Sequence, residues 1–203
     1  MRWDDLFNDL EGQLERDLTA EEADLRAEEE RLRLARLGIR DRLMSVHAAA
    51  GAIDTTVHLV LKDSSLVAVT PSTFGRDWFT GELEHSDSRS FPCVVPLSGI
   101  ATVVFSREQV HRSLAAVEGD AERSLSARLG LGFVLRDLCR RRTPVELRLS
   151  SGTVSGTLDR VGRDHCDLAV HDAGGIRRES LVTEFRLVPF NEVLLVRLFD
   201  RTI

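Results

Sequence analysis

Three short segments of this chain occur twice, in the same order and about 90 residues apart. The paired segments and their offsets are 57–61 with 145–149 (88), 75–77 with 162–164 (87), and 95–100 with 188–193 (93). Self-similarity at a nearly fixed spacing is typical of a duplicated structural unit. Because Val57, Leu59 and Leu61 alternate with other residues, the unit is predicted to be built from strands.

The repeat divides the chain into four segments. Residues 1–37 are predicted to form an acidic amphipathic helix or a pair of helices, and residues 107–142 a helical linker. The two copies of the repeat occupy residues 38–106 and 143–203, where short apolar runs are separated by turns rich in Gly, Pro, Ser and Asp. Thr19 begins a capping-box pattern, so a second helix either starts there or one helix runs through.

Charge and cysteine content exclude several classes of protein. Residues 1–37 hold 6 Arg and 12 Asp or Glu, so the net charge of −6 is concentrated at the N-terminus. A protein that coats a nucleic-acid duplex is expected to carry a basic face instead. Cys93, Cys139 and Cys166 are far apart and odd in number, so we expect a reducing cytoplasm, no disulfide framework, no metal site and no cofactor. The N-terminal residues are not expected to form a secretory leader, and no apolar run approaches the roughly 18 residues of a membrane span, so no membrane partner is expected.

The second copy is similar to Sm-like proteins at one motif. Its residues Gly152-Thr-Val-Ser-Gly156-Thr-Leu158 resemble the first motif of that family, in which glycine permits the sharp bend of a long strand. The resemblance implies an α+β fold with two small closed SH3-like or Sm-like β-barrels, joined by the helical linker and preceded by a long N-terminal helix. The aspartate and asparagine of the family's RNA pocket fall on Gly162 and Cys166, so that pocket is not carried over.

Over its whole length the chain also resembles a family of uncharacterised actinobacterial proteins, some of them labelled Fis-type transcriptional regulators. The segments that carry this resemblance are 1–11, 128–136, 156–162 and 169–171. The label implies nucleic-acid binding through a C-terminal helix-turn-helix. Residues 193–198 are predicted to be a strand instead, so the sequence does not support that mode of binding.

Six arginines are candidates for contacting nucleic-acid phosphates: Arg140, Arg141, Arg142, Arg163, Arg177 and Arg178. The first three close the linker helix, where the helix dipole also favours cations by about 0.3–1 kcal/mol each. The other three lie at turns of the second copy, where charge also discourages unwanted pairing of an edge strand. For these residues a structural role is favoured over contact with phosphates.

No catalytic site is predicted. His165 follows one of the two Gly-Arg-Asp segments and suggests a general base, but Trp78 stands at the equivalent position of the other copy. A position that holds His in one copy and Trp in the other is more simply a packing position beside a turn. No nucleophile and base can be paired from the sequence, so we predict a protein without enzymatic activity.

The N-terminal helix is the main candidate for a binding surface. Trp3, Leu6, Phe7 and Leu10 fall at helical spacing and form an apolar stripe in a protein that is only 5% aromatic. The stripe either packs on the protein's own barrels, or enters the groove of a protein partner or pairs with a second copy. Further along, leucines recur every seven residues with Glu between them, which predicts a narrow apolar edge rather than a long zipper.

These features predict a non-catalytic cytoplasmic adaptor or scaffold. It would bind a protein partner, or associate with itself, through the N-terminal helix and the barrel surfaces. The alternative is a nucleic-acid-associated transcriptional regulator that uses the linker and loop arginines.

Overall fold

The structure, a computed structural model, describes residues 3–51, 54–85, 89–115, 125–172 and 182–199; the side chains of residues 3–12, 14–17 and 20 lie outside that description. The chain divides into two compact units, Met1–Gly38 and Ile39–Ile203. The first unit contains α1 (Trp3–Arg36), a single helix of 34 residues that continues through Thr19 without a break.

The described residues of the second unit form four helices and ten strands. The helices are α2 (Ile39–Ala48), α3 (Arg107–Ser113), α4 (Leu125–Arg128) and α5 (Leu131–Arg141). The strands of the first half are β1 (Val57–Leu61), β2 (Leu66–Phe74), β3 (Trp78–Glu84), β4 (Ser90–Pro96) and β5 (Ile100–Val104). Those of the second half are β6 (Pro144–Leu149), β7 (Gly152–Val161), β8 (His165–Val170), β9 (Glu184–Pro189) and β10 (Val193–Leu198). A one-turn 3-10 helix precedes the last strand of each half, at Leu97–Gly99 and Phe190–Glu192.

All ten strands form one antiparallel sheet in the order β5-β1-β2-β3-β4-β10-β6-β7-β8-β9. Each half has the same internal order, in which the fifth strand lies beside the first. The long second strand of each half carries a register shift at the same place, between Pro71 and Thr73 in β2 and between Leu158 and Arg160 in β7. These positions differ by 87, the offset of the neighbouring repeated segments.

The prediction of two closed SH3-like or Sm-like barrels is wrong. Within a half, the fourth and fifth strands do not pair with each other to close a barrel. Instead β4 pairs with β10 of the other half, with Val94 opposite Val196 and Cys93 opposite Arg197, so the sheet is continuous and open. Strand pattern and bending specify the neighbours inside a half, but they do not specify which strand an edge pairs with.

The two halves share their hydrophobic cores at this junction. Val94 of β4 is buried with the core of the second half, which includes Leu147. Leu194 and Leu195 of β10 are buried with the core of the first half, which includes Leu59. Burying a large apolar side chain stabilises a fold by roughly 1.5–3 kcal/mol. For these residues that stabilisation requires both halves to be folded.

Helix α5 lies on the second half because its apolar residues fall on one side. Leu131, Leu135 and Leu138 are buried at the three- and four-residue spacing that places them on one side of the helix, and the helix packs against β7. Arg142 ends the helix in the left-handed conformation, with φ 53°. Helix α3 begins with a capping box, in which Ser106 and Gln109 satisfy each other's backbone N–H.

Candidate functional site

Helix α1 presents a row of exposed leucines. Leu18, Leu25 and Leu32 recur every seven residues, which places them on one side of the helix, and they are 53%, 62% and 51% exposed. These three residues are called the leucine edge below. Trp3, Leu6, Phe7 and Leu10 belong to the same helix, but their side chains lie outside the described residues.

Ion pairs along α1 fix its charged side chains. Arg26 contacts Glu22 at 2.9 Å, Arg31 contacts Glu28 at 3.0 Å, and an Arg33 guanidinium nitrogen lies 2.7 Å from a Glu30 carboxylate oxygen. The hydrogen bond from Arg33 holds the pKa of the Glu30 carboxyl below its usual value. Exposed pairs of this kind add only a few tenths of a kcal/mol each to a helix, so their main effect is to leave an ordered, charged border beside the leucine edge.

The three arginines at the end of α5 are each bound to a carboxylate. Arg140 and Arg141 both contact Asp137, at 2.6 and 2.7 Å, and Arg142 lies 3.4 Å from Asp159 on β7. The hydrogen bond from Arg140 and the charge of Arg141 lower the pKa of Asp137. The guanidinium groups remain more than half exposed, but a phosphate would have to compete with these carboxylates.

Of the other three candidate arginines, the structure describes only Arg163. Arg163 is exposed in the turn between β7 and β8. Arg177 and Arg178 lie outside the described residues.

The two Gly-Arg-Asp segments form the same turn in the two halves. Gly75 N–H donates to the Trp78 carbonyl at 2.8 Å, and Gly162 N–H donates to the His165 carbonyl at 2.9 Å. In both turns the ring lies against the glycine. A Cβ atom would be 2.2 Å from the Trp78 ring in the first turn and 2.6 Å from the His165 ring in the second. The ring at this position therefore covers the turn in both copies.

The polar groups of these turns hold the fold together. Asp77 accepts a hydrogen bond from Leu131 N–H at 2.8 Å, which satisfies a free donor at the start of α5. Trp78 Nε1 donates to the Leu129 carbonyl at 2.9 Å. In the second turn Asp164 is 2.8 Å from His165 Nδ1, and this hydrogen bond lowers the pKa of Asp164.

Cys93 and Cys166 are buried among the apolar residues of the two cores. Burial raises the pKa of Cys93 and of Cys166 to about 12, so both are protonated thiols at neutral pH. Within the described ranges no group of three or more His, Cys, Asp or Glu side chains has an arrangement that would hold a metal ion. No helix in the described part of the chain is long and apolar enough to cross a membrane.

Two grooves occupy equivalent places in the two halves, with volumes of about 220 and 480 Å³. Residues that differ by 87 line both grooves: Leu66 and Thr153, Val67 and Val154, Ala68 and Ser155, Leu83 and Val170, Glu84 and His171, His85 and Asp172. We call them the first groove, in the first half, and the second groove, in the second half. They lie where the second and third strands of each half meet.

The first groove is completed by side chains from the other half. Arg197 of β10 donates to Glu146 of β6 at 2.9 Å, and its guanidinium lies 5.0 Å from the ring centre of Phe91 and 4.8 Å from that of Phe199. Such stacking on aromatic faces stabilises a partly buried cation. Arg197 is therefore a structural residue of the junction between the halves.

Arg148 makes a second link across the junction. Its Nη1 donates to Ser65 Oγ at 2.9 Å, in the turn between β1 and β2, and its Nε lies 4.0 Å from Asp63. Sequence reasoning did not select Arg148 or Arg197. The available signal was that Arg197 interrupts the otherwise apolar strand β10, because a cation in such a strand needs a partner.

Thr183 and Arg186 of the second half complete the second groove. His171 is buried there, with Thr157 Oγ1 2.8 Å from its Nε2 and the Asp172 carbonyl 3.0 Å from its Nδ1. A carbonyl only accepts, so Nδ1 donates to the Asp172 carbonyl. The two hydrogen bonds hold the imidazole in place as part of the groove wall.

No family model, curated protein or solved structure matches the chain.

Proposed function

We propose that this protein is a non-catalytic adaptor that binds a protein partner through α1. The observation that carries the proposal is the leucine edge, three large apolar side chains that are all more than half exposed at seven-residue spacing. Single exposed leucines are ordinary on protein surfaces, but a row on one side of a helix is the pattern of a helix that packs into a groove.

The length of α1 supports the same function. Its 34 residues span about 50 Å at 1.5 Å per residue. A helix of that length, with its charged residues paired to one another, offers surface for several contacts with a partner along its axis. Isolated helices owe only part of their stability to such pairs, so a partner along the leucine edge would add the missing tertiary contacts.

The charge of the N-terminal segment indicates the chemistry of the partner. Residues 1–37 carry twice as many acidic as basic residues, 12 against 6. A matching groove would be apolar at its floor and bordered by Lys or Arg, because complementary charge speeds association and excludes wrong partners. The stripe Trp3, Leu6, Phe7 and Leu10 lies on the same helix and would extend the apolar contact towards the N-terminus.

The test compares two variants of the full chain in co-purification from the native host, quantified by mass spectrometry. Leu18→Gln, Leu25→Gln and Leu32→Gln together remove the leucine edge without changing charge or helix propensity greatly. Ala23→Gln and Ala27→Gln, on the opposite side of α1, form the matched control. We expect a specific partner to be lost from the first variant and kept by the second. Equal recovery of every partner by both variants would refute binding through this edge.

A nucleic-acid-associated regulator is the second candidate function. The observation that favours it is that Arg140, Arg141 and Arg142 keep more than half of their side chains exposed beside one another. Binding through phosphate contacts predicts affinity for labelled duplex or single strands that falls steeply with salt. Replacing all three arginines with alanine should then weaken binding. Binding that is unchanged in this variant would place the contact elsewhere, and no binding at low salt would exclude this function.

A further inference from the structure

The pairing between the two halves leaves two counterpart edges free. Inside the chain, β4 of the first half pairs with β10 of the second. By position in their halves, β9 is the counterpart of β4, and β5 is the counterpart of β10. Among the described residues, β9 and β5 are the two outer strands of the sheet, so each has an unpaired backbone edge. One molecule therefore has a free strand equivalent to each strand of its internal junction: β9 is equivalent to β4, and β5 is equivalent to β10.

The side chains of β9 show what the missing neighbour would cover. Leu187 is the counterpart of Val94, at the offset of 93 that relates these strands. Val94, which has β10 beside it, is 1% exposed, whereas Leu187 is 65% exposed and Phe185 next to it 64%. The same position of the repeat is thus buried where its edge is paired and open where its edge is free. Long apolar edge strands commonly act as templates for a further strand.

The two grooves lead to the same conclusion. The first groove is completed by Glu146, Arg148, Leu195 and Arg197 of the second half. The counterparts of these residues, by the offsets of 88 and 93, are His58 and Val60 of β1 and Thr102 and Val104 of β5. All four lie at the β5 end of the sheet and are exposed or half-buried. The second groove, of about 480 Å³, has no corresponding strand pair from this chain among the described residues.

We propose that β9 of one molecule pairs with β5 of a second copy, in the register in which β4 pairs with β10. Leu187 would lie opposite Val103 of the second copy, and Arg186 opposite Val104. The association is head-to-tail, so it leaves one free edge of each kind and continues into a ring or a chain. It uses the sheet edges and does not depend on binding through α1.

Two differences between the junctions predict that this association is weaker than the internal one. A Cβ atom on Gly99 would lie 2.7 Å from Leu194 Cα, so the internal junction needs glycine for the close approach of β10. The counterpart of Gly99 is Glu192, whose side chain would hold the incoming strand away. The counterparts of Leu194 and Leu195 are the smaller or more polar Ala101 and Thr102. We therefore expect reversible association that increases with concentration.

Sedimentation of the full chain over a wide concentration range tests the proposal. We expect the average mass of wild-type protein to rise with concentration. Leu187→Asp should abolish the rise, because a charge would be placed in the pairing, and Glu192→Gly should strengthen it by at least several-fold. Leu125→Asp, which changes an equally exposed leucine on α4, is the matched control and should behave as wild type. A wild-type protein that stays monomeric throughout, or a Glu192→Gly variant that also does, overturns the proposal.

Engineered cysteines test the register and the direction. Facing Cα atoms of antiparallel strands lie about 4.5–5.5 Å apart, which a disulfide spans. We expect a mixture of Arg186→Cys and Val104→Cys proteins to form a mixed disulfide under mild oxidation, in far higher yield than Arg186→Cys alone. Cross-linking only between two Arg186→Cys copies would show that β9 pairs with itself, and would refute the head-to-tail arrangement.

The variants also separate this proposal from the adaptor function. The triple glutamine variant of the leucine edge should associate with itself as wild type does, since α1 takes no part in the edge pairing. If self-association is lost in that variant but kept in Leu187→Asp, the contact belongs to α1 and the proposal fails.

Discussion

At Gly156 the backbone of β7 lies so close to β8 that a Cβ atom would be 2.2 Å from the Ala169 carbonyl oxygen. The sequence predicted a position on a bent strand where a side chain does not fit, and the geometry confirms it. The obstacle is backbone, which cannot rotate away. Gly162 differs, because there the near atoms belong to the His165 ring, which is partly exposed.

We expect Gly156→Ala to lower the free energy of unfolding by about 3 kcal/mol, as overpacking in a tight core does. Gly162→Ala is the control, with an expected loss below about 1 kcal/mol because the ring of His165 can move. Denaturant titrations of the three proteins measure the difference. Equal losses in the two variants would mean that the strand spacing at Gly156 relaxes easily.

The Asp63 carboxyl gives the junction a dependence on pH. Burial raises its pKa, but hydrogen bonds from Ser65 and the charge of Arg148 outweigh burial, so its pKa lies below the ordinary value of 3.8. A carboxyl with a lowered folded-state pKa stabilises the fold above its unfolded pKa, about 3.9, and this contribution is lost as pH falls through the folded-state value.

We therefore expect Asp63→Asn to be less stable than wild type at neutral pH, with the difference shrinking below about pH 4. Chemical denaturation at a series of pH values measures the two curves, with Asp24→Asn on the exposed surface of α1 as the control. A difference between Asp63→Asn and wild type that stays constant into strong acid would show that the charge of the Asp63 carboxylate does not stabilise the fold.

At the scale of elements, α5 shows which interactions follow from local sequence and which do not. Its buried leucines were predictable because a helix places residues three and four apart on one side. Its N-terminal hydrogen bond was not predictable, because Asp77 is not part of a local sequence pattern and lies 54 residues before Leu131. The same limit applies to Trp78, whose indole N–H reaches the backbone of Leu129.

Replacing Asp77 with alanine should cost about 1 kcal/mol, the usual loss when a helix N-terminal acceptor is removed. The counterpart variant Asp164→Ala removes only an exposed contact with His165, so we expect a much smaller change than in Asp77→Ala. Thermal unfolding followed by circular dichroism compares the two. If Asp164→Ala were the more harmful change, the turn of the second half would have a role beyond folding.

At the scale of the whole molecule, the repeat predicted the internal order of each half but not the junction. Val145, Leu147 and Leu149 alternate along β6 and define its buried side. By the same alternation, Glu146 and Arg148 between them belong to the solvent side. In the structure they line the first groove instead, because the other half covers them. The choice between closing a barrel and pairing with another half depends on contacts between residues far apart in sequence, which periodicity does not contain.

The candidate site was predictable only in part. The seven-residue recurrence of Leu18, Leu25 and Leu32 is visible in the sequence, and the structure adds that all three are exposed. The carboxylates that hold Arg140, Arg141 and Arg142 were not foreseen as a set, because Asp159 comes from β7 rather than from α5.

The shared cores make the two halves one cooperative unit. Leu194→Ala removes a fully buried side chain of β10 from the core of the first half, so we expect a loss of about 2–5 kcal/mol. Hydrogen exchange should then show amide protection falling in both halves together. Faster exchange in β1–β5 alone, with β6–β9 unchanged, would mean that the halves unfold independently.

The position of β10 also has a consequence for synthesis on the ribosome. Strands β1 to β5 emerge first, yet Leu194 and Leu195, which complete their core, are translated only after β6 to β9. Until then the nascent chain exposes the unpaired side of β4 and an unfilled apolar surface. We therefore expect the first half to complete its folding only after β10 has left the exit tunnel.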